Sequence, residues 1–278
     1  MSDTELACDA SPWGVAGFVN ALTDIRRAGF TGVEAGVDLV PAFEDRVHIL
    51  QEMLDSEALS LVTIRTQVRP LSGGSAEEES ERCLNVARFL SGMEGKLLVV
   101  TPPPYDEESL EEEWLLFTNL LAEVGKRCEE SGIGMSLNPQ PGTIIATRGE
   151  LEKLLKSFTV KALPVAVDSA FLECGRLAPA TFFKKYRNRL GHVYLSDLAR
   201  PKGKRSRSKK TKKPERPEAV RCELGKGAVK LQRFVEAAHS AKYSGWVTVR
   251  LPDATPGVDP ARVAAGGFKY AAEILDVF

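Results

Sequence analysis

Histidine is scarce in this sequence, which has only His48, His192 and His239 in 278 residues. The first and the last fall in helical patterns, which argues against a Ser-His-Asp triad. The five cysteines are odd in number and form no C-x-x-C pair, so neither a disulfide framework nor a structural zinc site is expected. No run of about 18 apolar residues occurs, and MSDTELACDA does not resemble a signal peptide. We therefore expect a cytoplasmic protein with reduced thiols and no membrane span.

Positive charge is concentrated in one segment. The formal net charge is −1, yet Arg200 to Arg216 contains ten Lys and Arg against one Glu. The sequence therefore predicts contact with a polyanion or an acidic protein through one loop, and not through a broadly basic face. Two alternatives remain open: the segment steers an anionic substrate, or it is a solvated, disordered insertion.

Short apolar, β-branched runs recur along the chain and alternate with segments of helical periodicity. Eight candidate strands are ELAC, GVEAGV, LSLVTIRTQV, KLLVVT, GMSLN, LPVAVDS, HVYLSD and WVTVRL. Alternating strands and helices imply a parallel sheet, either doubly wound or closed, and eight repeats favour an α/β fold of the (β/α)8 type. Capping-box patterns at Ser75/Glu78 and at Thr147/Glu150 predict two helix starts.

The interval between HVYLSD and WVTVRL is unusually long. Residues 200–222 are rich in Lys, Arg, Ser and Pro and poor in apolar side chains. The prediction is a single barrel domain over 1–278 with a basic, flexible loop inserted after the seventh strand. Because the loop follows a strand, it should lie at the carboxyl end of the barrel, where active sites of this architecture form.

Six motifs in order resemble the xylose isomerase-like TIM barrel superfamily of sugar isomerases, epimerases and inosose dehydratases. They are AGFTGVEAG from Ala28, NPQPGT from Asn138, VDSAFLECG from Val167, YRNRLGHVYLSD from Tyr186, ELGKG from Glu223 and SGWVTVRLPD from Ser244. In such enzymes a divalent cation is held by a carboxylate, an Asp, a His and a Glu that follow strands five to eight.

The resemblance places Asn138, Asp168, Tyr194 and Arg250 at these four metal-ligand positions. Only the Asp keeps the expected ligand type. A guanidinium has no lone pair and, about 4 Å from a divalent ion, would be repelled by about 8 kcal/mol at an effective dielectric constant of 20. We therefore expect no metal and no other cofactor. An unanticipated metal set of Glu34, Asp168 and Asp253 is the alternative.

Other residues are expected at the same mouth. By the resemblance, Arg200 corresponds to a substrate-binding Arg and Gln140 to a His, while Glu34, Arg65 and Gln67 end predicted strands. Asp168 or Glu34 is the candidate base. The candidate ligand-binding side chains are Asn138, Gln140, Tyr194, Arg200, Arg250 and Arg65. Tyr194 could instead only fill space, and Asp168 with Arg250 could be an ion pair closing a vestigial site.

Two functions follow as hypotheses. The first is a diverged isomerase- or epimerase-like barrel that binds a small, anionic sugar or polyol derivative and, if active, transfers a proton next to a carbonyl. The second is a non-catalytic barrel that binds a partner through its basic loop. Cys174 lacks a nearby histidine and is not expected to be a nucleophile, and the Gly-x-Gly of ELGKG is typical of a turn. Homo-oligomerisation is an expectation from the fold alone.

Overall fold

Eight parallel strands close into one barrel in the computed structural model, which describes residues 4–93, 97–199, 220–253 and 257–276. The barrel strands are β1 Thr4–Asp9, β2 Gly32–Gly36, β3 Ser60–Gln67, β4 Leu97–Thr101, β5 Gly134–Leu137, β6 Val165–Asp168, β7 Leu190–Leu195 and β10 Gly245–Val249. Their order around the barrel is β1-β10-β7-β6-β5-β4-β3-β2. Each of the eight predicted strands is present, so the barrel prediction is confirmed.

Helices cover the outside of the barrel, and their apolar stripes face the strands. In α1, Phe18, Ala21, Leu22 and Ile25 are buried at i, i+3, i+4 spacing, and the helix ends before Gly29, whose φ is 111°. The helices are α1 Phe18–Ala28, α2 Val40–Phe43, α3 Val47–Ser56, α4 Ala76–Ser91, α5 Leu110–Glu130, α6 Arg148–Leu155, α7 Ser169–Cys174, α8 Pro179–Tyr186, α9 Leu231–Ser240 and α10 Pro260–Asp276. Of the helices in the described ranges, none has the length and apolarity to cross a membrane.

One of the two predicted capping boxes forms. Thr147 caps α6 by accepting from the backbone N–H of Glu150, whose carboxylate accepts from the Thr147 N–H at 2.9 Å. Ser75 precedes α4, but its hydroxyl donates to the carbonyl of Pro70 at 2.6 Å and does not cap the helix. Helix α4 nevertheless begins at Ala76, so both predicted helix starts are confirmed, and only the capping hydrogen bond of Ser75 is absent.

Alternate residues of each strand point into the barrel, and here many of them are polar. Buried polar side chains recur at every second position, as in His192 and Tyr194 of β7, or in Thr248 of β10 and Arg250, which follows the last residue of β10. Near the amino end of the barrel, His192 Nε2 lies 2.8 Å from Thr248 Oγ1. The polar layer above it, at the carboxyl ends, forms the site described below.

A two-stranded antiparallel hairpin lies beyond β7. It pairs β8, Asp197–Leu198, with β9, Arg221–Cys222. The Asp197 carboxylate accepts from the backbone N–H groups of Gly225, Gly227 and Val229 at 2.8 to 3.0 Å, which confirms that ELGKG forms a turn. The last three residues of the predicted low-complexity loop, 220–222, pair with Asp197–Ala199. Residues 200–219 lie outside the described ranges.

Candidate functional site

Most of the predicted site residues come together at the carboxyl ends of the barrel strands. Each is buried or largely buried, as expected for side chains that point inward from strand ends: Glu34, Arg65, Asn138, Gln140, Asp168, Tyr194 and Arg250. Arg200 lies outside the described residues, so its placement remains a prediction. These residues, most of them chosen from the family resemblance, lie close together because the carboxyl ends of parallel strands share one face.

One half of the mouth is centred on the carboxylate of Asp168. Its Oδ2 accepts from Arg250 Nη1 at 3.1 Å and from Gln140 Nε2 at 3.0 Å. Its Oδ1 accepts from the Ala170 N–H, as the cap of α7, and from the hydroxyl of Ser196. Asp168 is fully buried. The carboxylate is therefore held by four donors and has lost its freedom to rotate.

Asn138 ties Arg250 to the same half. Its Oδ1 accepts from Arg250 Nη2 at 2.9 Å and from Gln140 Nε2 at 2.9 Å, while its amide donates to the carbonyl of Ala166. The donor to Ala166 fixes the amide so that the oxygen faces the guanidinium. Arg250 thus bridges two oxygen acceptors, those of Asp168 and Asn138.

Tyr194 joins the two halves of the mouth. The guanidinium carbon of Arg250 lies 3.9 Å from the centre of the Tyr194 ring, a cation–π contact. The Tyr194 hydroxyl donates to Glu34 Oε2 at 2.5 Å. Tyr194 therefore does more than fill space: its ring contacts a cation on one side and its hydroxyl contacts a carboxylate on the other.

The second half of the mouth is acidic. Glu34 Oε2 also accepts from Thr63 at 2.6 Å, and Glu34 Oε1 accepts from Arg65 Nε at 3.0 Å. Arg65 reaches onward to Asp9, with 3.5 Å between Nη2 and Oδ2. Two carboxylates therefore share one guanidinium at the ends of β1 to β3.

Burial and ion pairing have opposite effects on the pKa values of the acidic side chains in the site. Burial raises the pKa of Asp168, but the charges of Arg250 and Arg221 and hydrogen bonds from Ser196 and Gln140 lower that pKa to below its usual value. For Asp9, burial is likewise outweighed, chiefly by Arg65, and its pKa is lowered. Both side chains are consequently carboxylates at neutral pH, able to accept hydrogen bonds.

The uncharged groups stay uncharged. Burial and the neighbouring Glu34 carboxylate raise the pKa of Tyr194 well above that of a free phenol. Burial, reinforced by the charge of Arg250, lowers the pKa of His192 to about 3. Burial raises the pKa of Cys174 to about 11, so a thiolate nucleophile is not supported there.

The side chains at the four expected metal-ligand positions do not fit a divalent cation. Arg250 places a positive guanidinium in contact with the oxygens of both Asp168 and Asn138, the two side chains of this set that offer oxygen ligands to a hard cation. Across the described ranges, moreover, His, Cys, Asp and Glu side chains do not form a group of three or more suited to a metal. The alternative set of Glu34, Asp168 and Asp253 therefore does not form a cluster.

Several residues of the site were missed from the sequence. Asp9 ends β1 and could have been found by the same strand-end rule, whereas Ser196 lies one residue beyond β7. Arg221 carried no signal, because it follows a low-complexity stretch of similar charge. In the structure Arg221 Nη2 donates to Gln140 Oε1 at 2.8 Å and lies 3.8 Å from Asp168 Oδ2.

The comparisons with known proteins agree with the barrel fold. The family model of the xylose isomerase-like TIM barrel matches residues 22–274. The inosose dehydratase of Geobacillus thermodenitrificans (strain NG80-2) is 26% identical over 268 residues, which cover 91% of this chain and 86% of that protein. Curated relatives of similar length thus match almost the whole chain.

Solved structures show the same fold at low sequence identity. The IOLI protein with a binding zinc atom has a TM-score of 0.79 at 13% identity, covering 99% of both chains. D-Psicose 3-epimerase with D-tagatose, from Clostridium cellulolyticum H10, has a TM-score of 0.77 at 14% identity, covering 98% of this chain and 99% of that one. The solved structures show the barrel fold, and the family match over residues 22–274 shows that the chain belongs to the xylose isomerase-like TIM barrel family of sugar isomerases, epimerases and dehydratases.

Proposed function

We propose that this chain binds a small, anionic sugar or polyol derivative in the barrel mouth and does so without a divalent metal. The observation that carries the proposal is Arg250, whose guanidinium contacts Asp168 at 3.1 Å and Asn138 at 2.9 Å. A fixed positive charge here supplies part of what a cation would supply, namely attraction for a carbonyl or anionic oxygen. It does so without offering a vacant coordination position.

The chemistry of the relatives supports a carbohydrate-like ligand. Inosose dehydratase and D-psicose 3-epimerase are named for polyhydroxylated compounds. In this chain, the carboxylates of Glu34 and Asp9 can accept from ligand hydroxyls, and the amides of Asn138 and Gln140 can orient a ligand without moving protons. Arg65, Arg250 and Arg200 would favour a ligand that carries negative charge.

Proton transfer next to a carbonyl is the reaction that fits these groups, with Asp168 or Glu34 as base. Asp168 is a weak base while Arg250, Gln140, Ser196 and the Ala170 N–H all donate to it, because its pKa is lowered. A ligand that takes over one of these donors would free the carboxylate. Turnover, where it occurs, therefore depends on rearrangement of this network.

A second candidate function is favoured by the burial of the same network. Four side chains of the network are fully buried, namely Glu34, Asn138, Asp168 and Tyr194. Tyr194 donates a hydrogen bond to Glu34, and Asn138 donates one to the carbonyl of Ala166. Such burial and pairing are expected of a network that only stabilises the barrel. The chain would then be a non-catalytic barrel that binds a partner through the basic segment 200–222. Deleting 201–216 should abolish partner binding in this case, while Asp168→Asn leaves it intact.

Deuterium exchange distinguishes the two candidates. Keto-polyols such as an inosose, psicose and tagatose are incubated with the protein in D2O and EDTA, and exchange at the carbon beside the carbonyl is followed by proton NMR. The enzyme proposal expects metal-independent exchange that Asp168→Asn or Glu34→Gln abolishes. Asp38→Asn, an exposed carboxylate on the same face, is the control and should keep full activity.

Three outcomes are informative. Exchange that requires added metal contradicts the metal-free proposal, and exchange that survives both substitutions contradicts the assigned bases. No exchange with any ketone supports the non-catalytic barrel. The acidic or polyanionic partner, the cytoplasmic location and the homo-oligomer remain predictions from the sequence.

A further inference from the structure

The hairpin beyond β7 brings a second arginine to Asp168. Arg221 lies in β9, opposite Asp197–Leu198, and its Nη2 donates to Gln140 Oε1 at 2.8 Å. The same nitrogen is 3.8 Å from Asp168 Oδ2, the oxygen that Arg250 Nη1 contacts at 3.1 Å. Two guanidinium groups therefore share one carboxylate.

This arrangement polarises the mouth. On the side of β6 and β10, two guanidinium groups contact the one carboxylate of Asp168, and the charge of Asp253 acts more weakly on Arg221. On the side of β1 to β3, the single charge of Arg65 faces Asp9 and Glu34. Two buried like charges repel each other at this range. An added negative charge would therefore be stabilised beside Arg221 and Arg250, and disfavoured beside Asp9 and Glu34.

Both arginines also carry a donor without an acceptor. The Nε–H groups of Arg221 and Arg250 are buried, and within the described part of the chain neither donates a hydrogen bond. A buried unpaired donor costs free energy and calls for an explanation. Guanidinium groups only donate, so the missing partner of each Nε–H is an acceptor, and one carboxylate or phosphoryl group can serve both because it carries at least two oxygens.

We infer that Arg221 and Arg250 together form the oxyanion-binding part of the ligand site, with Arg221 as the residue that sets the preference for charged ligands. The inference rests on the proposed ligand binding in the mouth and adds the residue and the chemical group. Arg221 is the more accessible of the two, with 23% of its side chain exposed against 3% for Arg250. The anion therefore reaches Arg221 first, and Arg250 completes its binding.

Three six-carbon probes test this by isothermal titration calorimetry: D-gluconate, D-glucose 6-phosphate and uncharged sorbitol. Wild-type protein should bind gluconate, glucose 6-phosphate or both at least tenfold more tightly than sorbitol. Arg221→Gln should weaken that binding by about tenfold to a hundredfold, the loss typical of one charge-assisted hydrogen bond, and leave sorbitol unchanged. Preference for gluconate identifies a carboxylate, and preference for glucose 6-phosphate a phosphoryl group.

Arg262→Gln is the matched control. Arg262 is an exposed residue of α10 paired with Glu223, so this variant loses the same charge away from the two guanidinium groups. It should change the affinities less than twofold, and circular dichroism should show both variants folded. Unchanged anion binding in Arg221→Gln, or equal losses in the two variants, overturns the inference but leaves the proposed function standing. If neither anion binds the wild-type protein more tightly than sorbitol, both proposals fail.

Discussion

Removing either partner of the Arg250–Asp168 pair should destabilise the protein strongly. Asp168 is fully buried and Arg250 is 3% exposed, so each single substitution leaves a charge without its main counter-ion and away from water. We expect Arg250→Met and Asp168→Asn each to lower the free energy of unfolding by about 3–5 kcal/mol. Methionine keeps most of the aliphatic stem of Arg250, which limits the loss of packing against Tyr194.

The double variant shows whether the two losses of stability come from the same interaction between Arg250 and Asp168. With both charges gone, Arg250→Met/Asp168→Asn should cost only about 1 kcal/mol more than either single change, which gives a coupling energy of about 2–4 kcal/mol. Urea unfolding supplies the free energies, and unchanged m-values are needed for the comparison to hold.

An exposed ion pair provides the control for this cycle. Arg262 Nη2 lies 3.1 Å from Glu223 Oε1, a distance equal to that of the buried pair, but 57% of the Arg262 side chain is exposed. Arg262→Met should therefore cost less than about 1 kcal/mol. Additive single effects for Arg250 and Asp168, with a coupling energy below about 0.5 kcal/mol, would refute the reasoning.

Three further predictions concern the same layer of side chains. His192→Gln should make the free energy of unfolding less dependent on pH. The pKa of His192 is about 3 in the folded protein and about 6.5 in the unfolded chain, so between these pH values His192 binds a proton only when the chain unfolds. Wild-type protein should therefore lose about 2 kcal/mol more than this variant between pH 7 and pH 5 in urea titrations, and equal losses would contradict the assignment. Tyr194→Phe should lower stability by about 1–3 kcal/mol because Glu34 loses a buried donor, and a neutral result would show that Thr63 and Arg65 suffice. Arg250→Glu should be destabilised without metal and regain stability as Mn²⁺ is added, as judged by thermal melting, whereas Arg250→Gln should show no such gain.

The fold could be predicted from the sequence because its signals are local and repeated. Each apolar run such as KLLVVT or WVTVRL is long enough for a strand and is separated from the next by a helical stripe. The helix start at Ser75 was predicted correctly, but the hydroxyl donates to the loop carbonyl of Pro70 and does not accept from a backbone N–H of the helix. Which of these two contacts forms depends on the folded loop and leaves no mark in the pattern.

The site could be predicted only in part. The family resemblance indicated Asp168, Tyr194 and Arg250, the second-strand motif indicated Glu34, and the strand-end rule predicted that they lie on one face. Which acids pair with which bases could not be read from the sequence, because those contacts join residues as far apart as Glu34 and Tyr194. Arg221 was missed for a different reason: its partners Gln140 and Asp168 are brought to it by a hairpin that composition did not reveal.

The central proposal is that the positively charged guanidinium of Arg250 replaces a divalent metal ion in this barrel. Its most direct test is elemental analysis of protein purified without chelator, combined with thermal melting in Mn²⁺, Mg²⁺ and EDTA. Because a ligand that binds the folded state must raise the melting temperature, the account predicts no stoichiometric metal and the same melting temperature in all three conditions. Stoichiometric metal, or a clear rise in melting temperature with Mn²⁺ or Mg²⁺, would contradict it.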